Sequence, residues 1–252
     1  MYSDINIEKI LFLDIETVSQ YAEYDVLSEQ IKALWDKKAA SLMRYETHED
    51  FNSPKDLYSR AGIYAEFGKV VCISAGFIRD NKLYLKSYCE DNEKTILSQF
   101  ASLVNGHFNN KENHFCGHNI KEFDIPYLCR RMLVNGIEIP KIMNLMGKKT
   151  WENPHIDTME MWKFGDFKHY TPLDLLANIF EIPSPKDNID GSEVGMVYWN
   201  EKDLKRIATY CEKDTATVAQ LFLKMTGNLW QQAILSFVPL SLGSPNQSSP
   251  AW

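Results

Sequence analysis

The chain has 252 residues, 44% hydrophobic and 24% charged, a composition that supports a full hydrophobic core and excludes global disorder. Its 27 basic and 34 acidic residues leave a net charge of -7, which disfavours a protein that coats long duplex by electrostatics. Cys72, Cys89, Cys116, Cys129 and Cys211 are widely spaced with no C-x-x-C pair, which excludes a disulfide framework or zinc knuckle and points to a reducing, cytoplasmic setting. No apolar run approaches the roughly 18 residues of a membrane span, and no basic flank followed by an apolar stretch marks a signal peptide. Residues 10–16 (ILFLDIE) form an unbroken apolar run ended by acids, the pattern of a central strand covered on both faces. Residues 25–58 are charged, carry Leu27, Ile31 and Leu34 at helical spacing, and read as an insertion of one or two helices. Residues 69–77 and 83–88 are the next strands, with Asp80-Asn81 between them as a turn. A helix period follows over 95–104, then a short strand at 114–117 and a helix over 125–133. Thr171-Pro172-Leu173-Asp174 reads as a helix start with Thr171 as N-cap, 186–191 as a loop, and 204–222 as a long amphipathic helix. From about Phe237 the chain turns Ser/Pro/Asn-rich. The expected organisation is therefore a single α/β domain over 1–236 and a tail without order over 237–252.

Asp14 and Glu16 stand two apart at the expected end of the first strand, a spacing that points both carboxylates to one face. Two such anions repel unless a cation lies between them, and oxygen ligands favour Mg²⁺ or Mn²⁺. The same spacing also fits acids that merely end a strand in solvent. Asp124, with Pro126 two residues on, fits a helix N-cap and equally a carboxylate presented toward the strand ends. Asn119 and Phe123 can position a substrate base or phosphate, or serve only as a turn residue and a core ring. Tyr210 and Asp214, at i and i+4 on the last long helix, share one of its faces at the border of the apolar stripe.

Taken in order, these motifs make the chain resemble the DEDD superfamily of 3′–5′ exonucleases. It is most similar to the proofreading exonuclease of family B DNA polymerases and its stand-alone bacterial relatives. The first motif resembles Asp14-Ile15-Glu16-Thr17, the second Asn119 through Asp124, and the third, Y-x-x-x-D, Tyr210 and Asp214. Thr209 stands where the other branch of the superfamily has a histidine, so the tyrosine branch (DEDDy) fits better. The resemblance implies a ribonuclease-H-like fold, a central mixed sheet flanked by helices, and hydrolysis with two divalent cations, Mg²⁺ or Mn²⁺. It assigns Asp14, Glu16 and Asp214 to the first ion, and Asp14 with water-mediated help from Asp124 to the second. Thr17, Asn119 and Phe123 are then expected on the substrate. A phenol with an ordinary pKa near 10 is a poor base at neutral pH, so Tyr210 is expected to orient the attacking water.

The expected reaction releases nucleoside 5′-monophosphates from a free single-stranded 3′ end, DNA in preference to RNA, in repair or end-trimming. No membrane is expected among the partners, and protein partners stay unspecified. Two rivals are an RNA-trimming exonuclease of the same chemistry and a catalytically silent nucleic-acid-binding module on the same fold. The presence of all four carboxylates and the tyrosine argues against the second. Asp157 is expected as a turn residue rather than an acid supporting the ions, and His118 and His155 as hydrogen-bonded structural histidines. Lys148, Lys149, Lys186, Arg130 and Arg131 are expected as solvated charges, with phosphate contact the alternative. Trp151, Trp162 and Trp199 are expected mostly in the core rather than stacked on bases. The 25–58 insertion is expected near the cleft, able to gate substrate entry.

Overall fold

The computed structural model describes residues 5–45, 51–166, 170–183, 189–227 and 237–239. In chain order its elements are β1 (Ile10–Ser19), α1 (Glu29–Tyr45), α2 (Pro54–Leu57), β2 (Gly68–Arg79), β3 (Lys82–Cys89), α3 (Glu93–Leu103), β4 (His114–Gly117), α4 (Asp124–Val134), β5 (Ile156–Asp157), α5 (Thr158–Lys163), α6 (Leu173–Ile179), α7 (Val194–Met196), α8 (Leu204–Thr226) and β6 (Phe237–Pro239). The sheet runs β5-β4-β1-β2-β3-β6. β1 is antiparallel to β2 and β2 to β3, while β4, β5 and β6 join as parallel strands. Asp80 and Asn81 turn β2 into β3 with φ of 48° and 61°, a left-handed pair that asparagine and aspartate tolerate best after glycine. The backbone of residues 237–239, assigned to the tail on sequence, pairs with β3; residues 240–252 and the first half of the expected 186–191 loop, 186–188, lie outside the described residues.

Both faces of β1 are covered, which is why its sequence does not alternate. Leu11, Leu13 and Ile15 pack with residues of α3 and α4, including Phe100 and Leu128, on one face. Ile10 and Phe12 pack on the other against Val218 and Phe222 of α8. The 23-residue α8 starts on an Asp203 side chain that accepts from the Arg206 amide, and it stops at Gly227 in the left-handed region, φ 66°.

β1 is longer than its apolar run. It pairs with β4 only over Ile10–Phe12, whereas its pairing with β2 continues to Ser19 across a register shift between Glu16 and Thr17. Asp14 and Glu16 therefore lie in mid-strand rather than at its end, because β2 carries the ladder past them. On the β4 side the same stretch has no strand partner among the described residues.

The insertion is helical as expected, and Leu27 and Ile31 pack in its core, but the third position of the expected stripe is one residue off. Leu34 is 47% exposed, and Trp35 is fully buried in its place, with Nε1 donating to the Pro54 carbonyl at 2.7 Å. Trp35, Ala39, Leu57, Tyr58 and Ala61 form a small core of their own. Tyr127 Oη donates to the Gly62 carbonyl at 2.7 Å and the Gln20 amide to Phe67 at 2.8 Å, which fastens the segment to α4 and the end of β1. A Cβ on Gly62 would stand 2.9 Å from the Val18 backbone, so only glycine permits that approach.

Arg131, expected at the surface, is buried. Its guanidinium holds Glu93 through Nε at 2.8 Å and Nη2 at 2.6 Å, and reaches the Ala65 carbonyl at 2.9 Å. Glu93 in turn accepts the Val70 amide at 2.8 Å. Removing one partner of a buried pair strands the other, so Arg131→Ala is expected to cost about 3–5 kcal/mol in urea denaturation. A loss under about 1 kcal/mol would show the pair to be energetically idle.

α6 also differs by one position from its expected start. Pro172 occupies its N-cap without a side-chain bond, and the Thr171 carbonyl instead accepts from His118 Nε2 at 2.8 Å.

Candidate active site

Three separate elements deliver the acids. β1 supplies Asp14 and Glu16, the start of α4 supplies Asp124, and α8 supplies Asp214. α4 opens at Asp124 itself, with Phe123 as N-cap, so the Asp124 carboxylate is not the expected cap. It turns to the Ile15 backbone amide between the two β1 acids, at the point where β1 has outrun β4. On α8 the buried stripe runs through Ile207, Cys211 and Thr215, and Tyr210 and Asp214 flank it, both half-buried. The Tyr210 phenol is hydrogen-bonded to Asp214.

Crowding of like charges in a dry place sets the electrostatics. Burial first, and then the charges of Glu16, Asp214 and Asp124, push the Asp14 carboxyl well above the ordinary range. Glu16 is raised in the same way, by burial and then by Asp214 and Asp124. Burial raises Asp124 to about 7, although its own and the Ile15 amides hold it down. The Tyr210 phenol is driven above its ordinary value by burial and by the negative charges of Asp214, Glu16 and Asp14, so it keeps its proton at neutral pH. A proton or a cation must compensate such a cluster. Its oxygen donors suit a hard divalent ion, with Asp14, Glu16, Asp124 and Asp214 as the residues able to hold it.

Cys211 is the member that sequence reasoning placed only in the apolar stripe. Its Sγ lies 3.3 Å from Asp14 Oδ2 and 3.4 Å from the Asp14 carbonyl, and donor atoms of Asp14, Glu16 and Cys211 fall within 4.8 Å of one another. The thiol acts as a donor that lowers the Asp14 pKa against the larger effect of burial. Its position directly after Tyr210 was the available signal.

The turn from Asn119 to Phe123 is held by Asp157, which is 1% exposed. That carboxylate accepts the amides of Asn119 at 3.0 Å, Lys121 at 3.2 Å, Met159 at 2.9 Å and Glu160 at 3.3 Å, joining the turn to the start of α5. Asn119 sits in the left-handed region, φ 64°, and its Oδ1 is buried without a hydrogen-bond partner. Phe123 packs on Tyr127 with ring centroids 5.4 Å apart. The Thr17 hydroxyl hydrogen-bonds with the Tyr127 phenol.

The other candidates stand away from the acids in role. His155 stacks on Phe115 at 4.8 Å, takes the Phe115 amide at Nδ1, and is lowered to about 4 by burial. Trp162 packs against Phe180 and Trp199 against Tyr198, whereas Trp151 is 77% exposed. Lys148, Lys149 and Arg130 are exposed, and Lys186 lies outside the described residues.

A mixed sheet of order β5-β4-β1-β2-β3, helices on both faces, and acids gathered on its central strand define an α/β fold of the ribonuclease-H-like exonuclease class. A family model described as a predicted 3′–5′ exonuclease related to the exonuclease domain of PolB matches residues 63–235, about two thirds of the chain, and the protein belongs to that family. No curated protein matches the chain. The matched stretch contains Asn119–Asp124 and Tyr210–Asp214 but begins after Asp14 and Glu16. Those two acids join the others through the structure. The family implies a nucleic-acid substrate, and among the described residues no helix is long and apolar enough to cross a membrane.

Proposed function

We propose that the protein is a metal-dependent 3′–5′ exonuclease of the DEDD tyrosine branch, releasing nucleoside 5′-monophosphates from single-stranded DNA ends in the cytoplasm, in repair or end-trimming. The observation that carries this reading is the convergence of Asp14, Glu16, Asp124, Asp214 and Tyr210 from three elements at the open side of β1. Asp14, Glu16 and Asp214 would hold one Mg²⁺ or Mn²⁺ ion, and Asp14 with Asp124 a second. When bound there, such ions would supply the positive charge needed to acidify a water and to neutralise a leaving 3′-oxygen. Tyr210, kept protonated by its neighbours, orients that water by hydrogen bonding rather than removing its proton. Asn119 Oδ1, a buried acceptor without a partner, suits a hydroxyl donor of the terminal sugar. Phe123 and Thr17 shape the same corner through Tyr127. The five free cysteines agree with a reducing compartment.

The test uses a 5′-labelled single-stranded DNA oligonucleotide and its RNA counterpart with Mg²⁺ or Mn²⁺, beside an EDTA control. A metal-dependent ladder shortening from the 3′ end, faster on DNA, is the expected result. Faster shortening of RNA would reassign the substrate. No cleavage of either strand with either ion would overturn the enzyme and leave a binding module.

A further inference from the structure

A group of hydrogen-bond donors outside the acids is short of acceptors. After α7 the chain makes a single π-helical turn, Val197–Glu201, a rare geometry that frequently marks functional sites. The turn carries Tyr198 and Trp199 and closes on Lys202 in the left-handed region, φ 58°. Lys69 of β2 and Lys202 both reach these rings. Their ammoniums lie 4.7 and 4.9 Å from the centroid of Trp199, and 4.6 and 5.7 Å from that of Tyr198. The Trp199 Nε1–H is buried and has no acceptor among the described residues. A buried donor left unmet is costly, and such groups call for a partner.

The neighbouring carboxylates are engaged. Lys69 donates to Tyr198 Oη at 2.8 Å, and that hydroxyl donates to Asp91 at 2.9 Å. Glu93 is held by Arg131, Glu201 pairs with Arg206 at 2.6 Å, and Asp203 caps α8. Two ammoniums and an indole N–H thus share Asp91, which one of them meets through a phenol. Burial lowers the Lys69 pKa; Asp91 and Glu93 oppose this, and the like charge of Lys202 adds to it. Lys69 also lines a cavity of about 750 Å³ with Tyr21, Asn92 and Lys94, which opens its ammonium to solvent. It stands opposite Val18, two residues past Glu16 on β1, about 7 Å along the strand.

We propose that Lys69, Lys202 and the Trp199 indole N–H form a binding site for a phosphate monoester, with a nucleoside 5′-monophosphate as its natural occupant. A monoester brings three terminal oxygens and nearly two negative charges to these donors, more than a phosphodiester within a strand can offer. Recognition is of the phosphate, and stacking of a base has no part in it. The site stands on its own donors; the choice of occupant rests on the exonuclease reading above, whose product it is.

The test follows the indole ¹H–¹⁵N signals in EDTA, that of Trp199 being assigned by its loss in Trp199→Phe. The titrants are inorganic phosphate, deoxyadenosine monophosphate, deoxyadenosine and a 5′-phosphorylated oligonucleotide. The Trp199 signal is expected to move with phosphate and with the monophosphate and to stay in place with the nucleoside. Lys202→Gln, at an exposed position, is expected to weaken monophosphate binding about ten- to a hundredfold at an unchanged melting temperature. A Trp199 signal that moves with no phosphate, moves equally with deoxyadenosine, or titrates identically in Lys202→Gln would overturn the site. Tighter binding of the phosphorylated strand than of the monophosphate would overturn the mononucleotide as occupant. Monophosphate binding without cleavage of a labelled strand in Mg²⁺ would support the site and overturn the exonuclease; cleavage without such binding would do the reverse.

Discussion

Asp14→Asn is expected to abolish hydrolysis and, at the same time, to raise the melting temperature of the ion-free protein. Asp14 is the acid at the centre: Glu16, Asp214 and Asp124 all raise it, on top of burial. An ion held by three carboxylates and lowering a barrier by several kcal/mol leaves a deficit of about a thousandfold or more in kcat when one of them becomes an amide. Without ions, the same substitution removes one buried negative charge from a place where charges repel, and the near-isosteric amide still accepts the Cys211 thiol. The two measurements are ladder formation with Mg²⁺ and thermal melting in EDTA. Full activity in Asp14→Asn would move the chemistry elsewhere, and a lower melting temperature would mean the carboxylates are already compensated within the fold.

The stability of the ion-free protein should fall as pH rises, and divalent ions should cancel that fall. The sign follows from the direction of the shifts. A carboxyl whose folded pKa lies above its unfolded value keeps its proton in the folded state where the unfolded chain has lost it. Its contribution is fully present below the unfolded pKa and is lost as pH climbs to the folded one. For Asp124 that window runs from the ordinary 3.8 to about 7, and for Asp14 and Glu16 it extends upward from their ordinary values. At about 1.4 kcal/mol per pH unit per proton, the loss amounts to a few kcal/mol. Buried His155 acts with the opposite sign, since its folded pKa of about 4 makes stability fall as pH drops below the ordinary 6.5. Melting curves in EDTA and in Mg²⁺ from pH 5 to pH 8 separate the two, because His155 contributes equally to both. The gap between the curves is expected to widen with pH; parallel curves would show that the ions do not replace protons on these acids.

The gathering of the acids was legible because backbone periods fix which residues share a face: Asp14 and Glu16 two apart on a strand, Tyr210 and Asp214 four apart on a helix. Cys211 was not. A cysteine on an apolar stripe reads as core, and its contact with Asp14, 197 positions away, arises only from the way α8 lies across β1. Arg131 failed for a similar reason. Nothing local distinguishes a buried arginine from a solvated one, since its burial depends on Glu93 on another helix. The Leu34 and Trp35 exchange is a phase error of one residue, which a helix period of 3.6 read over a short window does not resolve. The length of β1 was hidden because its last residues are held by β2 and not by an apolar pattern of their own. Asp157, expected as a turn residue, instead ends β5 and caps α5, and its four amide partners come from two segments that only the fold brings together.

One consequence of the early end of β4 concerns solubility rather than chemistry. From Leu13 onward β1 has, on that side, no strand partner among the described residues, and an unpaired edge is a template for another strand. Asp124 covers it at Ile15, setting a negative charge at the spot where an intruding strand would have to bond. The Asp124 carboxylate thus also stands guard against intermolecular strand addition. Variants that lose it face a hazard of aggregation separate from any loss of turnover, and an enlarged β4 that paired onward would silence the enzyme by mending its sheet.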